Sequence, residues 1–205
     1  MDPNNIPFNA LIVGPTNSGK TKYVVDQLHG PFRGKFDYIV LICPTFVYNK
    51  TYDGFVNKDP YIFVVDCQQE EVENWLKLVN FFFEQTSTLI TLDDCAASKD
   101  VKGHTSQLVS LGFSARHAGI SVWVLTQQIT STAKPLRENM AALVLFYTSS
   151  GKTTKAIFED YAGERSHEKH QELIAQLKNT NFHPSCLITG ILMELKLIIY
   201  RFSQA

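Results

Sequence analysis

One short run of residues combines the types and the spacing needed to bind a chain of phosphates. It fits the pattern G-x-x-x-x-G-K-T, and its members in order are Gly14, Pro15, Thr16, Asn17, Ser18, Gly19, Lys20 and Thr21. Glycines let backbone N–H groups turn inward around an anion, and the N-terminus of a following helix adds partial positive charge. The Lys20 ammonium can reach the terminal phosphates, and the Thr21 hydroxyl can bind Mg²⁺. The run predicts a site for ATP and Mg²⁺.

The segments on either side of this run are of the types that a phosphate-binding loop requires. Residues 9–13 end in Ala-Leu-Ile-Val, which is typical of a buried strand, and residues 22–29 carry apolar side chains at helical spacing. Strand, loop and helix in this order are the context in which the motif is credible. The alternative is a glycine turn that only joins a strand to a helix. A second Gly-Lys-Thr, at 151–153, lacks the first glycine of the pattern.

Two carboxylates follow a later apolar run, residues 88–92, which is predicted to be a strand. They are Asp93 and Asp94. We expect Asp93 to hold Mg²⁺ through its water shell, and Asp94 to accept a proton from the attacking water or to orient it. Strands also end in aspartate at ordinary turns. The acidic pair therefore indicates a catalytic role only because a phosphate loop precedes it in the chain.

An amide side chain stands at the end of the next predicted strand, residues 120–126. Gln127 there is expected at the carboxyl edge of the sheet, beside the bound phosphate, where it can sense the γ-phosphate and position water. Gln128 is the alternate, because strand ends are uncertain by a residue or more. A polar turn with no role in chemistry is the plainer interpretation.

Two arginines are candidates for stabilising the charge that develops on a transferring phosphoryl group. Arg116 precedes the strand that ends at Gln127, and Arg137 lies in a short predicted helix. A neighbouring subunit commonly supplies such an arginine. Each of the two could equally be a partner in a surface ion pair.

Composition is that of a globular protein without a strong charge field. The chain has 205 residues, 44% of them hydrophobic and 19% charged, and a net charge of −1. We expect a single domain, 1–205, whose DNA binding would need a local patch or an assembled ring. No apolar run suits a signal peptide or a membrane span, so a soluble intracellular protein with no membrane partner is expected. His167 and His170 do not have the spacing of a zinc-binding helix, and the cysteines, expected to be reduced and buried, are Cys43, Cys67, Cys95 and Cys186.

Apolar patterns of strand and helix type alternate along the chain. They predict an α/β fold with a mainly parallel central sheet and helices on both faces. Residues 1–7 are expected to be a flexible arm, residues 46–60 a connection over the surface, and residues 185–202 a terminal antiparallel hairpin. The predicted strands are residues 9–13, 37–43, 61–65, 88–92, 120–126 and 142–147, and the predicted helices run to residue 29 and over 68–84, 105–117, 135–140, 153–161 and 166–177.

Beyond these motifs the chain resembles a known family, the viral DNA-packaging ATPases of the FtsK/HerA superfamily, in the poxvirus-like branch found also in giant viruses and virophages. The resemblance covers about residues 8–161, and its most specific part is the Arg-His segment that leads into Thr-Gln. It rests on the phosphate loop and on Cys43-Pro44-Thr45, Leu92-Asp93-Asp94, Arg116-His117-Ala118-Gly119-Ile120-Ser121, Leu125-Thr126-Gln127 and Leu136-Arg137-Glu138-Asn139.

The resemblance implies a RecA-like P-loop NTPase core of the ASCE class, assembled as a ring, that drives double-stranded DNA into a preformed capsid. This chain carries Asp94 where many members of the superfamily carry glutamate. It has no additional DNA-binding domain, so loops facing a central pore would contact the DNA. Candidates in the loop after the acidic pair are Lys99, Lys102 and His104, although that loop could equally be a solvated turn.

The leading hypothesis is therefore an ATP-hydrolysing motor subunit for packaging viral DNA. Its expected partners are double-stranded DNA, capsid or portal proteins, and further copies of itself in a pentameric or hexameric ring. The expected location is the virus assembly site in the infected cell, in cytoplasm or nucleus, or the virion. The alternatives are a P-loop kinase of a small molecule, which usually needs an arginine-rich lid that this chain lacks, and a nucleotide-bound adaptor in capsid assembly that does not hydrolyse ATP.

Overall fold

Eight strands form one sheet in the computed structural model, which describes residues 1–56, 59–95, 107–146, 148, 155, 185–188 and 196–199. The strands are β1 Ala10–Val13, β2 Tyr38–Ile42, β3 Ile62–Val65, β4 Thr88–Leu92, β5 Ile120–Thr126, β6 Ala142–Leu145, β7 Ser185–Ile188 and β8 Lys196–Ile199. The helices are α1 Lys20–His29, α2 Asp53–Val56, α3 Val72–Phe83, α4 Gln107–Ser114 and α5 Lys134–Glu138.

The order of the strands across the sheet is β3-β2-β4-β5-β1-β6-β7-β8. Each neighbouring pair from β3 to β6 is parallel, whereas β7 is antiparallel to β6 and β8 is antiparallel to β7. The prediction of a mainly parallel sheet with an antiparallel terminal pair is confirmed. The strand that ends beside Gln127 lies between the strand before the phosphate loop and the strand before the acidic pair.

Helices cover both faces of the sheet, as predicted. Alternate residues of β1 point to opposite sides, so that Leu11 joins one buried cluster and Ile12 joins the other. The cluster around Leu11 includes residues of α3, α4 and α5, and the cluster around Ile12 includes residues of α1. Because β1, β4, β5 and β6 are buried on both faces, their sequences are nearly continuous apolar runs. Each fully buried aliphatic side chain contributes about 1.5–3 kcal/mol.

Parallel register brings the carboxyl ends of the central strands to one edge. Val13 pairs with Thr126, and Leu92 pairs with both Ile42 and Val124. The chain segments that leave β1, β2, β4 and β5 therefore meet at that edge, which is where parallel α/β sheets bind ligands.

The expected arm at residues 1–7 is not loose at its apolar positions. Met1 is only 5% exposed and belongs to the same buried cluster as Phe8, against which Ile6 also packs. Its polar composition suggested a solvated segment, but two apolar side chains suffice to anchor it. The polar residues Asp2, Asn4 and Asn5 are exposed, and for them a flexible arm stays a prediction.

The segment after β2 is also more than a surface connection. It forms two short 3-10 turns, Phe46–Tyr48 and Lys50–Tyr52, followed by α2, and it buries the side chains of Tyr52 and Phe55. Mixed polar and aromatic composition without periodicity gave no sign of this packing. Apart from residue 155, the helices predicted at 153–161 and 166–177 lie outside the described residues, as do the second Gly-Lys-Thr, His167 and His170.

Gly119 allows the chain to turn from a 3-10 helix, Ala115–Ala118, into β5. Its φ is +79°, and a Cβ atom there would lie 2.7 Å from the backbone oxygen of Thr86. We expect Gly119→Ala to lower the free energy of unfolding by about 2–4 kcal/mol, because alanine suffers both the left-handed backbone and the clash. Urea denaturation with an unchanged slope measures this loss.

Gly34→Ala is the matched control for that substitution. Gly34 also has a left-handed backbone, with φ of +67°, but no atom lies within 4 Å of its added Cβ. Gly34→Ala should lower the free energy of unfolding only by the cost of the left-handed backbone, about 1–2 kcal/mol. Equal losses for the two variants would show that the Thr86 carbonyl does not constrain Gly119.

Candidate active site

The phosphate loop joins β1 to α1 and is closed against two neighbouring strands. The Gly14 N–H donates to the carbonyl of Thr126 at 3.1 Å. A Cβ on Gly14 would lie 2.6 Å from both the Phe146 Cβ and the Ser18 Oγ. The first glycine of the motif is therefore required by close packing at the base of the loop.

The rest of the loop turns its backbone toward the start of α1. Asn17 and Gly19 have left-handed backbones, with φ of 60° and 90°. The Ser18 N–H donates to the Pro15 carbonyl at 3.2 Å, while the Ser18 Oγ is buried without a hydrogen-bond partner within the described residues. An unsatisfied hydroxyl beside a helix N-terminus suits an anion.

Lys20 spans the loop that it belongs to. Its Nζ donates to the carbonyls of Gly14 at 2.8 Å and Pro15 at 2.9 Å. Burial lowers the pKa of the Lys20 ammonium, and the negative charges of Asp93 and Asp94 oppose that effect. A bound phosphate would offer charged oxygens in exchange for the two carbonyls, which strengthens the hydrogen bonds that the ammonium makes.

Asp93 is a nearly buried carboxylate at the end of β4, 5% exposed. Its Oδ2 accepts hydrogen bonds from the Thr21 Oγ1 at 2.8 Å and from the Tyr52 phenol at 2.7 Å. Burial raises the pKa of Asp93, whereas the bonds from Tyr52 and Thr21 and the charge of Lys20 oppose the rise. The Thr21 bond ties the phosphate loop directly to the acidic pair.

Asp94 lies beside Asp93 in a left-handed backbone conformation, with φ of 57°. Its Oδ2 accepts a hydrogen bond from the Thr45 Oγ1 at 3.0 Å. Asp94 faces an open cleft of about 430 Å³ that Lys20, Thr21, Asp93 and Gln127 also line. The cleft thus brings together a cation, two carboxylates, a hydroxyl and an amide.

Most of the predicted site residues meet at this cleft. Besides those named above, Thr16, Asn17 and Gly19 line it. Gly14, Pro15 and Ser18 are not among the lining residues, although Gly14 packs closely against Phe146 and the Pro15 carbonyl accepts hydrogen bonds from Ser18 and Lys20. Gln127 lines the cleft, whereas Gln128 is not among the residues that line it.

Neither candidate arginine lies in the cleft of its own chain. Arg116 is exposed on the 3-10 helix that precedes β5, at the opposite end of that strand from Gln127. The Arg137 guanidinium donates to the backbone carbonyls of Ile129 and Thr132 in the connection from β5 to α5. Lys99, Lys102 and His104 lie outside the described residues.

Tyr52 and Thr45 are contacts of the acidic pair that sequence reasoning missed. Thr45 stands in the Cys-Pro-Thr segment that carried part of the resemblance, but no spacing rule assigns it to Asp94. Tyr52 is 1% exposed in a segment without periodicity, and nothing local relates it to a residue 41 positions away. A buried tyrosine usually needs a partner for its hydroxyl, which is the one signal available once burial is known.

The donors at the cleft fit a magnesium ion bound together with a nucleotide. Among the described residues no group of three or more His, Cys, Asp or Glu could hold a metal ion by itself. Magnesium usually keeps several waters and takes one or two carboxylates plus substrate phosphates, so an all-protein cage is not required. The buried Asp93 carboxylate and the Thr21 hydroxyl, 2.8 Å apart, are such a donor set.

The thiols of Cys43, Cys67 and Cys95 are free and buried, as predicted. Burial raises the pKa of Cys43 to about 11 and that of Cys67 to about 11. Thiols of this kind stay protonated at neutral pH and are poor nucleophiles. The side chain of Cys186 lies outside the described residues.

Asp93→Asn should stabilise the protein in the absence of nucleotide and metal. Because the folded-state pKa of Asp93 is raised, its contribution to stability is fully present below the unfolded-state pKa and is lost as pH rises through the folded-state value. At pH 7, above the pKa of an aspartate in the unfolded chain, the acid therefore destabilises the fold, because ionisation favours the unfolded chain over the folded one. Asparagine stays neutral in both states and can still accept a hydrogen bond. Urea denaturation at pH 7 should show a higher midpoint for the variant.

The increase in the urea midpoint caused by Asp93→Asn should become smaller as the pH is lowered, because protonation of Asp93 then removes the buried charge from the wild-type protein as well. Asp66→Asn, at an exposed acid after β3, is the control and should change the midpoint little at either pH. A midpoint at pH 7 that falls in Asp93→Asn would show that the hydrogen bonds to the carboxylate outweigh the cost of its burial.

Comparison with known proteins relates this arrangement to viral ATPases. The sequence matches the model of the family described as "Poxvirus A32 protein" over residues 3–180. No curated protein sequence matches the chain significantly. No helix in the described part of the chain is long and apolar enough to cross a membrane.

Solved structures share the fold over nearly the whole chain. The genome packaging NTPase B204 of Sulfolobus turreted icosahedral virus 2, in complex with AMPPCP, is 16% identical, with 98% of this chain and 100% of that chain covered and a TM-score of 0.73. B204, the DNA-packaging ATPase of Sulfolobus turreted icosahedral virus, is 17% identical, with full coverage of both chains and a TM-score of 0.69.

A more distant likeness is to the cytoplasmic domain of the type VII secretion ATPase EccC of Thermomonospora curvata. It is 11% identical, with 94% of this chain and 25% of that chain covered and a TM-score of 0.62. At such identities the solved structures establish the fold, and the predicted RecA-like P-loop architecture is confirmed.

Proposed function

Because the chain belongs to the poxvirus A32 protein family, we propose that it is an ATP-hydrolysing motor subunit that moves double-stranded viral DNA into a preformed capsid. The observation that carries the proposal is the hydrogen bond from Thr21 to Asp93, which joins the phosphate loop to the acidic pair. Phosphate-binding and water-activating groups thereby face one cleft. The likeness in fold to a genome packaging NTPase and a DNA-packaging ATPase supports the same conclusion.

The phosphate loop would hold the triphosphate of ATP. Backbone N–H groups at the start of α1 surround the anion, and Lys20 leaves the Gly14 and Pro15 carbonyls to bind the terminal phosphates. Thr21 and Asp93 would hold Mg²⁺, Asp93 through water. The ion would supply positive charge that offsets the negative charge developing on the phosphates during transfer.

Asp94 and Gln127 would act on the attacking water. The water oxygen forms a bond to the γ-phosphorus while the bond from that phosphorus to the bridging oxygen breaks, and ADP and inorganic phosphate leave. Asp94 accepts the proton that the water loses, and the Gln127 amide orients the water. The bond from Thr45 to Asp94 supports this role, because it holds a side chain shorter than glutamate at the cleft.

DNA contact in this proposal belongs to a ring and not to a basic surface of one chain. The net charge of −1 supplies no field that would attract a duplex. In a pentamer or hexamer, a few lysines on pore-facing loops would be repeated around the duplex and neutralise several phosphates. Lys99, Lys102 and His104 remain the proposed pore residues, and capsid or portal proteins the proposed docking partners at virus assembly sites.

Phosphate release from MgATP, measured with and without double-stranded DNA, tests the function. Turnover should rise several-fold with DNA, and Lys20→Ala should lower it by at least about 100-fold because the charge on the terminal phosphates is then unmatched. Lys77→Ala, at an exposed lysine on α3 that forms an ion pair with Glu73, is the control and should leave turnover unchanged.

Three results of that assay would overturn the proposal. Tight ATP binding without turnover under either condition would identify a nucleotide-bound adaptor. Phosphoryl transfer to a nucleoside or nucleotide would identify a kinase. Turnover that survives Lys20→Ala would show that hydrolysis does not occur at this loop.

A mixing experiment tests whether Arg116 completes the site of a neighbouring subunit. Arg137 is already bound to carbonyls of its own chain, so Arg116 is the stronger candidate. Arg116→Ala and Asp94→Asn proteins should each be inactive alone. Mixed in equal amounts, they should regain turnover at about a quarter of their sites, where an intact cleft meets an intact arginine across a head-to-tail interface.

Lys20→Ala mixed with Asp94→Asn is the control for this experiment. Both lesions lie in the cleft of their own chain, so every site in the mixed ring stays defective. Recovery in this control, or none in the Arg116→Ala mixture, would exclude Arg116 as the arginine supplied in trans.

A further inference from the structure

The segment that leaves β2 contacts both members of the acidic pair. We propose that residues 45–52, which we name the brace, are a positioning element of the hydrolytic site, in which Thr45 orients Asp94 and Tyr52 orients Asp93. This inference rests on the proposed hydrolytic function. It adds two side chains that no motif assigns to the chemistry.

Tyr52 is placed to hold Asp93. Its side chain is almost fully buried and stacks on Phe46, with ring centroids 5.9 Å apart and an angle of 28° between the rings. Phenylalanine would serve that packing equally well, so the hydroxyl has a separate purpose. It donates to the Asp93 Oδ2 at 2.7 Å, the same oxygen that receives the Thr21 hydroxyl. Two donors converging on one oxygen leave the carboxylate little rotational freedom.

Thr45 is placed to hold Asp94. It follows Cys43 and Pro44 in the segment after β2, which is the strand next to β4. Its Oγ1 donates to the Asp94 Oδ2 at 3.0 Å. An aspartate with a left-handed backbone has an uncommon orientation, which persists where surrounding contacts enforce it. The Thr45 hydroxyl is one such contact, and it reaches the carboxylate directly.

The two hydroxyls belong to one stiff element. Backbone bonds join Phe46 N–H to the Cys43 carbonyl at 3.0 Å and Tyr48 N–H to the Thr45 carbonyl at 3.0 Å. The Asn49 side chain accepts from Thr51 N–H at 3.3 Å and caps the second turn. The brace therefore sets the positions of both acids together, and its own side chains Tyr48, Asn49 and Thr51 line the cleft.

Because Asp93 and Asp94 are proposed to act in different steps, removing the Tyr52 hydroxyl and removing the Thr45 hydroxyl should change different measured quantities. Asp93 is proposed to act in binding MgATP, whereas Asp94 is proposed to act on water after ATP has bound. Loss of the Tyr52 hydroxyl should therefore weaken nucleotide binding only when Mg²⁺ is present. Loss of the Thr45 hydroxyl should slow turnover without changing ATP binding.

Tyr52→Phe tests the first contact by equilibrium binding of a fluorescent ATP analogue, measured with Mg²⁺ and again with EDTA. The affinity should fall by about tenfold with Mg²⁺, the scale of one hydrogen bond to a charged group, and stay unchanged with EDTA. Tyr61→Phe removes a hydroxyl from an exposed tyrosine at the start of β3 and should change neither value. Equal affinities for Tyr52→Phe and wild type, or equal losses under both conditions, would overturn the role of Tyr52.

Thr45→Val and Thr45→Ser test the second contact by steady-state ATP hydrolysis. Valine keeps the shape of threonine without the hydroxyl, so kcat should fall by about tenfold with KM for ATP unchanged. Serine keeps the hydroxyl and should restore most of kcat. Full activity in Thr45→Val, or a kcat above that of the wild type, would overturn the role of Thr45, and the second result would identify the contact as a brake.

Failure of the brace and failure of the hydrolytic function give different results. A wild-type protein that binds MgATP without turning it over would refute hydrolysis, and the binding assay would still decide whether Tyr52 orients Asp93. The other outcome is a wild-type protein that turns over ATP while Tyr52→Phe, Thr45→Val, Thr45→Ser and the control Tyr61→Phe all show wild-type binding and turnover. That result would refute only the brace.

Discussion

The buried carboxylate of Asp93 is the constraint on which the arrangement of the cleft depends. A charge removed from water is costly unless donors replace the solvent, and here they come from different parts of the chain. Thr21 stands at the start of α1 and Tyr52 in the connection after β2, and the Lys20 ammonium adds opposite charge. Satisfying this single group therefore draws the phosphate loop, the acidic pair and the brace to one point of the sheet edge.

The sequence was sufficient for those features that are local or periodic. The phosphate loop, the acidic pair and Gln127 are each recognised from a few adjacent residues. Buried parallel strands are recognised because their sequences are continuous apolar runs. Parallel topology then brings the strand ends together, so much of the cleft followed without coordinates. Contacts of Tyr52 and Thr45 could not be obtained this way, because they join residues 41 and 49 positions apart without any repeating pattern. The burial of Met1 was not predicted for a related reason. A single apolar side chain in a polar segment forms no periodic pattern that would indicate burial.

The positions of the lysines and arginines bear on how the proposed ATPase would divide ATP binding from hydrolysis. Within the described residues Lys20 and Lys22 line the cleft, and Lys22 forms an ion pair with Asp26, so Lys20 is the proposed partner of a terminal phosphate. Transfer of the phosphoryl group spreads further charge over its equatorial oxygens, where a second cation is worth several orders of magnitude in rate. Arg137 is bound to the carbonyls of Ile129 and Thr132, and Arg116 stands at the far end of β5. Under the proposed function, such a chain would bind ATP alone and would hydrolyse it efficiently only in contact with another copy.

The features of the site that lower the free energy of unfolding lie next to the most buried strands of the sheet. A buried acid at position 93 and left-handed backbones at Asn17 and Asp94 each disfavour folding. All three follow β1 or β4, central strands that are buried on both faces and flanked by β5. Burial of apolar strand residues, at about 1.5–3 kcal/mol for each large side chain, offsets such costs. A mobile surface loop could carry the same residues but could not hold two carboxylates in fixed positions, so the chemistry has to be placed on the most stable part of the sheet.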